Sequence, residues 1–341
     1  MTKQPKRILV IGPSWVGDTV MSQGLLRFIK QQNPQVSIDV LAPAWTFPLL
    51  ARMQEVSQAI EIPITHGELK LLTRFRIAQA LRKNKYDQAI VLPNSFKSAL
   101  IPFLAGIPKR TGWLGEWRYG LLNDARPMDR KRYPLMIEQY MALGLERDQP
   151  LPADYPLPAF IVSKDSVNAV LQKHQLDATS KPIIALCAGA EFGPSKRWPE
   201  EYYGKIANTM LERGFAVWLF GSGKDKPVVD NVMQLTNNRA ENLAGKLALF
   251  ETIDLLSCVS GVVSNDSGLL HVTAALGKPL IAIYGSTSPD FTPPLAKNAT
   301  VLKLALECQP CFQRVCPLVH HRCMRDLTPE MVLAHIDRWG I

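Results

Sequence analysis

Two successive doubly wound α/β domains, each a parallel sheet flanked by helices, are the fold class this 341-residue sequence predicts. Three observations carry it. Short β-rich runs alternate with amphipathic stretches of helical spacing in both halves. A proline-studded polar stretch, Asp148–Pro158, interrupts the alternation near the middle. The length also exceeds what one hydrophobic core serves. At 47% apolar and 20% charged residues, the chain is too rich in core formers to be disordered. No apolar run approaches the roughly 20 residues of a spanning helix. The basic start Met1–Arg7 leads into only Ile8-Leu9-Val10-Ile11 before Gly12, so neither a transmembrane segment nor a secretory signal is expected.

In the first half, Arg7–Ile11, Val36–Leu41 and Tyr86–Leu92 read as buried strands, and Asp18–Gln32, Leu69–Lys83 and Ser95–Leu104 as helices. After the linker the strands are Pro182–Cys187, Phe215–Phe220, Gly261–Ser264 and Pro279–Tyr284. The helices between them are Glu200–Arg213, Lys226–Leu235, Leu247–Val259 and Gly268–Leu276. A last helix opens at Asp326-Leu327-Thr328-Pro329-Glu330, with an Asp or Thr cap, proline near the first turn and an early Glu. This divides the chain into domains at 1–160 and 161–341. Two such sheets are expected to face each other across a cleft, with ligands at the carboxyl ends of the strands, so the informative residues should follow strands.

The first such loop, Gly12-Pro13-Ser14-Trp15-Val16-Gly17-Asp18-Thr19, superficially matches the phosphate-cradling pattern G-x-x-x-x-G-K-[ST]. Asp18 stands where a lysine would reach the phosphates, and an anion there repels them, which argues against a P-loop NTPase. A dinucleotide fingerprint fails as well, because Gly12 lacks the G-x-G spacing and Lys226 follows Gly221-Ser222-Gly223 where a third glycine belongs. What remains is a carboxylate at a helix start, either a cap or a base. The helix amino terminus is expected to hold its pKa down. A weak resting base can still serve, since an attacking hydroxyl sheds its proton only as the new bond forms.

In the second half, Cys187-Ala188-Gly189-Ala190 runs through Glu191-Phe192-Gly193-Pro194-Ser195 to Lys196-Arg197-Trp198-Pro199. A glycine-containing loop entering a helix beside two cations suits a phosphate through backbone N–H groups, a point charge and a forked guanidinium; a solvated loop with two surface charges has the same composition. Gly221-Ser222-Gly223-Lys224-Asp225 adds a carboxylate able to hold ribose hydroxyls. In Ser264-Asn265-Asp266-Ser267-Gly268-Leu269-Leu270-His271, Asp266 and Ser267 are expected to cap a helix whose free N–H groups face the ligand, while His271 sits one turn into an apolar helix. Together the three loops describe a pocket for a nucleotide diphosphate carrying a polyhydroxyl group.

Four of the six cysteines, Cys308, Cys311, Cys316 and Cys323, fall in one short segment, which points to a reducing, cytoplasmic chain with one special cysteine loop. With His320 and His321 beside them, they are a candidate structural zinc site, although the C-x2-C-x4-C-x6-C spacing departs from common zinc fingers and thiols that merely pack, or disulfides, remain alternatives. The net charge of +9 favours polyanions. Nucleic acid is not expected among them, because no compact basic tract with interleaved aromatics and no helix-turn-helix or zinc-finger spacing is present.

Five segments together resemble a known family: Gly-Pro-Ser-Trp-Val-Gly-Asp at 12–18, Leu-Pro-Asn-Ser-Phe-Lys-Ser at 92–98, Gly-Ile-Pro-Lys-Arg-Thr-Gly-Trp at 106–113, Gly-Ala-Glu-Phe-Gly-Pro-Ser-Lys-Arg-Trp-Pro at 189–199 and Asn-Asp-Ser-Gly-Leu-Leu-His at 265–271. The chain is similar over essentially its whole length to the bacterial ADP-heptose:lipopolysaccharide heptosyltransferases. The resemblance implies a GT-B fold in which the first domain binds the acceptor, the second binds the nucleotide sugar, and the C-terminal helix crosses back to the first. It implies inverting transfer, without a catalytic metal, from ADP-L-glycero-D-manno-heptose to the first heptose of the inner core, heptosyl-Kdo2-lipid A, releasing ADP. It gives Asp18 the part of general base and Lys196 that of neutralising the departing diphosphate. Gly189, Ala190, Asp225, Asp266, Ser267, Gly268 and His271 fall on the donor side. The acceptor is lipid-linked, phosphorylated and on the inner leaflet, so peripheral contact with the cytoplasmic face of the inner membrane follows. Lys97, Lys109, Arg110 and Arg118 are the cations expected near it.

Overall fold

The computed structural model describes residues 6–64 and 67–341, and Met1–Pro5 of the basic start lie outside the described residues. The chain divides into two compact units, Met1–Pro158 and Ala159–Ile341. Among the described residues no helix is long and apolar enough to cross a membrane.

The first unit contains β1 (Arg7–Ile11), α1 (Val16–Gln32), β2 (Ser37–Ala42), α2 (Phe47–Leu50), β3 (Gln58–Glu61), α3 (Leu71–Arg82), β4 (Gln88–Val91), α4 (Phe96–Leu104), β5 (Lys109–Trp113), β6 (Asp124–Arg126) and α5 (Met136–Ala142). Its six strands lie in the order β3-β2-β1-β4-β5-β6, and every pairing is parallel. Leu9 is flanked by Asp39 on one side and Ala89 on the other. Strands covered on both faces must be apolar at consecutive positions, and the run Ile8–Ile11 is buried throughout.

The second unit repeats the plan with α6 (Lys164–Lys173), β7 (Ile183–Cys187), α7 (Glu200–Glu212), β8 (Ala216–Phe220), α8 (Lys226–Leu235), β9 (Glu241–Asn242), α9 (Leu249–Leu256), β10 (Gly261–Asn265), α10 (Gly268–Ala275), β11 (Leu280–Ile283), β12 (Ala299–Leu302), α11 (Arg322–Arg325) and α12 (Pro329–Ile336). Its strand order is β12-β11-β10-β7-β8-β9, again all parallel. Numbered within each unit, both sheets run 3-2-1-4-5-6, the doubly wound order. The chain winds away in opposite directions from the middle, so the crevice for a ligand opens beyond the carboxyl ends of β1 and β4, and of β7 and β10.

Sequence patterning missed β3, β5, β6, β9 and β12, as well as α2, α5, α6 and α11. α12 starts where expected, with Thr328 at the cap, Pro329 in the first turn and Glu330 after it, but the threonine hydroxyl makes no cap bond to the helix backbone. Its apolar side packs on α7 and β11 of the second unit.

Candidate functional site

The two loops at the second switch point are tied together by buried polar side chains. Asn265, at the end of β10, accepts hydrogen bonds at Oδ1 from the Trp198 backbone N–H at 3.1 Å and the Tyr203 hydroxyl at 3.0 Å. Its Nδ2 donates to the Ala188 carbonyl at 2.7 Å. One amide thus fixes both ends of the 188–198 loop after β7. The Trp198 indole N–H donates to the Leu327 carbonyl, anchoring the far end.

Within that frame Lys196 closes a short 3₁₀ turn, Pro194–Lys196, and its Nζ reaches Asp266 Oδ2 at 2.5 Å. The Thr287 hydroxyl donates to the same carboxylate oxygen, also at 2.5 Å. The Phe192 ring lies 5.0 Å from the Lys196 ammonium, close enough for a cation–π contact. Asp266 therefore does not cap α10, contrary to expectation, because the cation from the neighbouring loop and a hydroxyl engage its carboxylate instead. Ser267 stands at the cap position but its hydroxyl makes no cap bond, and it lies 3.5 Å from Ser264 Oγ. Among the described residues the first-turn N–H groups of α10, beginning at Gly268, thus have no side-chain cap and favour an anion.

Gly189 and Ala190 are buried at the start of the same loop. A Cβ at Gly189 would stand 2.2 Å from Asp225 Cγ, so only glycine lets the two loops touch. Asp225 Oδ2 accepts from the Ser222 backbone N–H at 2.9 Å and its hydroxyl at 2.7 Å, closing the Gly223–Asp225 turn. His271 is buried, and desolvation pulls its pKa down to about 4 against the attraction of Asp266, leaving a neutral imidazole near neutral pH. Arg197 keeps a buried Nε without a hydrogen-bond partner.

In the first unit Asp18 is the third residue of α1, with Trp15 at the cap position. Among the described residues no hydrogen bond or ion pair engages its carboxylate. Burial pushes its pKa up from 3.8 to about 6, the reverse of the depression expected from the helix terminus. The desolvation outweighs the helix field here. Tyr140, a buried residue of α5, lies within electrostatic range of Asp18 and is held well above its ordinary pKa, chiefly by its own burial.

The four expected acceptor cations differ in placement. Lys97 lies in the first turn of α4, on the carboxyl side of the sheet, and its ammonium has no partner among the described residues. Arg118 is fully buried: it donates to the Pro93 carbonyl at 2.6 Å, to Asn94 Oδ1 at 3.2 Å and to the Trp113 carbonyl, and desolvation lowers its pKa to about 10. It is a brace for the loop after β4 rather than a surface cation. Lys109 and Arg110 begin β5 and pair in register with Gln88 and Ala89, which puts them at the opposite, amino-terminal end of the sheet. Arg110 donates to the Leu121 and Ile107 carbonyls, and Lys109 pairs with Glu146 at 3.5 Å. Both therefore lie away from the carboxyl edge of the sheet and are engaged by groups of the protein itself.

Sequence reasoning missed Asn265 as a pin, Thr287 and Tyr140. Thr287 had a signal, since Gly285-Ser286-Thr287-Ser288 follows a strand run; Tyr140 had none, lying in a helix that patterning overlooked.

The profile of glycosyltransferase family 9 (heptosyltransferase) matches residues 74–321. The chain is 45% identical over 340 residues to lipopolysaccharide heptosyltransferase 2 of Escherichia coli (strain K12), covering 97% of each protein. It is 47% identical to lipooligosaccharide heptosyltransferase 2 of Haemophilus influenzae (strain Rd), covering 97% of this chain and 98% of that one. Among solved structures it superposes on that of E. coli ADP-heptose LPS heptosyltransferase II with a TM-score of 0.88 at 42% identity, over 98% of both chains.

Proposed function

The chain belongs to glycosyltransferase family 9, the heptosyltransferases, and from that premise we propose how its residues divide the transfer of heptose from ADP-heptose to the lipopolysaccharide inner core. The fold is GT-B, and ADP-heptose is the donor. The finer reading is that residues 161–341 hold the donor, residues 1–160 hold the acceptor, and the acceptor is the first heptose of heptosyl-Kdo2-lipid A.

The observation that carries this reading is the Lys196–Asp266 pair beside the uncapped amino terminus of α10, at the switch point of the second sheet. A diphosphate there meets an ammonium and backbone N–H groups. Those interactions strengthen as the anomeric C–O bond breaks and charge gathers on ADP, so they favour the transition state over the ground state. Gly189 and Ala190 supply close backbone approach, and Asp225 a carboxylate for ribose hydroxyls. Asp18, with its raised pKa, takes the proton of the acceptor hydroxyl as its oxygen bonds to the anomeric carbon with inversion. A structural zinc on Cys308, Cys311, Cys316 and Cys323 would stand outside this step.

Peripheral contact with the cytoplasmic face of the inner membrane completes the reading. Trp15, Trp45, Leu72, Phe96 and Trp117 are exposed on segments that follow β1, β2, β3, β4 and β5, the connections that leave the carboxyl ends of the first sheet's strands. Such apolar tips suit a lipid-linked substrate. Incubation with ADP-heptose and heptosyl-Kdo2-lipid A, following ADP release and acceptor mass, tests the function; ADP retention without turnover would reduce the chain to a binding module. Co-sedimentation with anionic vesicles tests the membrane contact.

A further inference from the structure

The segment between β12 and α11 has an inverted burial pattern. Phe312, Val315, Leu318 and Val319 are 56%, 62%, 56% and 78% exposed, while Cys308, Cys311, Cys316 and Cys323 are all partly buried free thiols. A loop that throws its large apolar side chains into solvent and turns its cysteines inward has no core of its own to hold it. Small units in that position rely on cross-links or metal.

All four thiols line one small cavity of about 20 Å³, the room of a single ion or water, and His320 and His321 border it too. Gln309, which also lines the cavity, carries a buried Oε1 with no hydrogen-bond partner. The backbone makes room for the arrangement: a Cβ at Gly285 would lie 2.4 Å from Met324 Sδ and 3.3 Å from Cys323 Sγ.

The same segment is clamped to the donor loop. The Ser195 hydroxyl donates to the Gln313 carbonyl at 2.5 Å, the Ser195 N–H to the Arg314 carbonyl at 3.2 Å, and the Phe312 N–H to the Ser286 carbonyl at 2.7 Å. Ser195 is the residue before Lys196. A Cβ at Gly193 would lie 2.5 Å from the Arg314 carbonyl oxygen, so the two backbones touch.

We propose that Cys308, Cys311, Cys316 and Cys323 bind one thiophilic divalent cation of the zinc class, as a clasp that presses residues 312–314 against the Gly193–Lys196 turn and presets the donor site. Among the described residues no three His, Cys, Asp or Glu side chains are already gathered so as to hold a metal ion, so binding draws the thiols inward from the cavity wall. Each coordinating thiol releases its proton to solvent as the thiolate bonds to the cation. The metal is structural, and the Ser195 and Lys196 positions are what it serves; that part rests on the donor assignment above.

The test uses full-length protein purified without a His-tag or chelator. Elemental analysis should give about one zinc per chain, and cobalt substitution should give the intense visible bands of tetrahedral cobalt thiolate. Stripping the metal with a mercurial reagent and chelator should lower Tm and weaken ADP binding about tenfold, and added zinc should restore both. A Cys308→Ser/Cys316→Ser variant should hold no metal. Protein that contains no metal, takes up neither zinc nor cobalt, or carries the four cysteines as disulfides overturns the proposal; ADP affinity unchanged on stripping overturns the clasp. Zinc retention and zinc-dependent ADP binding without heptosyl transfer would support the site and fault the functional reading instead.

Discussion

Lys196 Nζ lies 2.5 Å from Asp266 Oδ2, so the cation assigned to the diphosphate is already held by a carboxylate of its own protein. The pair is mostly buried, and removing one member leaves the other charged in a poorly solvated place. Lys196→Ala should therefore destabilise the fold by about 2 kcal/mol, less than a fully buried pair would cost. It should also weaken ADP binding at least tenfold. The Lys196→Ala/Asp266→Ala double variant should recover most of the stability and none of the affinity. Thermal melts and ADP titration calorimetry of the three proteins separate the roles; full ADP affinity in Lys196→Ala would move the diphosphate elsewhere. Arg197→Ala, removing a side chain with an unpartnered Nε, should do less.

Asp18 gives a pH dependence whose sign follows from burial. Its folded pKa of about 6 exceeds the ordinary 3.8, so the folded chain holds that proton more tightly than the unfolded one. Ionising Asp18 hence costs stability, a penalty that grows between those two pH values and is complete above the upper one. At full ionisation the penalty is at most about 3 kcal/mol. Asp18→Asn should melt higher than the parent at pH 7.5, and the gain should vanish near pH 4.

The same group sets the activity profile. kcat/KM should fall below about pH 6 as Asp18 takes up its proton. Asp18→Asn should lower kcat by about a hundredfold or more while ADP affinity holds. A variant with near-parental turnover would make Asp18 an ordinary first-turn residue.

The strands that patterning found are those covered on both faces, such as β1, β7, β8 and β10, where consecutive apolar residues leave a clear signal. The edges left little: β6 is Asp124-Ala125-Arg126 and β9 only two residues. β5 begins Lys109-Arg110, which reads as a cation pair because the sheet end on which it lies is not visible in one dimension. Lys196 and Asp266 were legible by type and by following a strand. Their contact was not, since 70 residues separate them and only the strand order brings β7 beside β10. The direction of the Asp18 pKa escapes the sequence for a related reason: the helix terminus is local, whereas the burial comes from the tertiary fold.

Gly189→Ala tests the closeness of the two donor loops. The added Cβ would stand 2.2 Å from Asp225 Cγ, and that carboxylate cannot retreat without losing its bonds to Ser222. Overpacking of this kind costs about 1–3 kcal/mol. Tm should fall, and ADP affinity should fall with it because both loops must part. Unchanged ADP affinity would show that the 189–190 backbone is not in the donor site.

Asn265→Ala removes the pin of the 188–198 loop. It leaves the Trp198 N–H and the Ala188 carbonyl without their buried partner, while the Tyr203 hydroxyl keeps the Cys187 carbonyl at 3.2 Å as its acceptor. Each orphaned group costs about 1–3 kcal/mol, partly recovered if water enters, so a loss of about 3 kcal/mol is expected in urea denaturation. Asn265→Asp keeps the two accepting interactions but sets a carboxylate oxygen against the Ala188 carbonyl. It should therefore lose less stability than alanine while still lifting the start of the loop. If the pin positions Lys196, both variants should raise KM for ADP-heptose more than they lower kcat, whereas a purely structural Asn265 would leave KM at the parental value in whatever fraction folds.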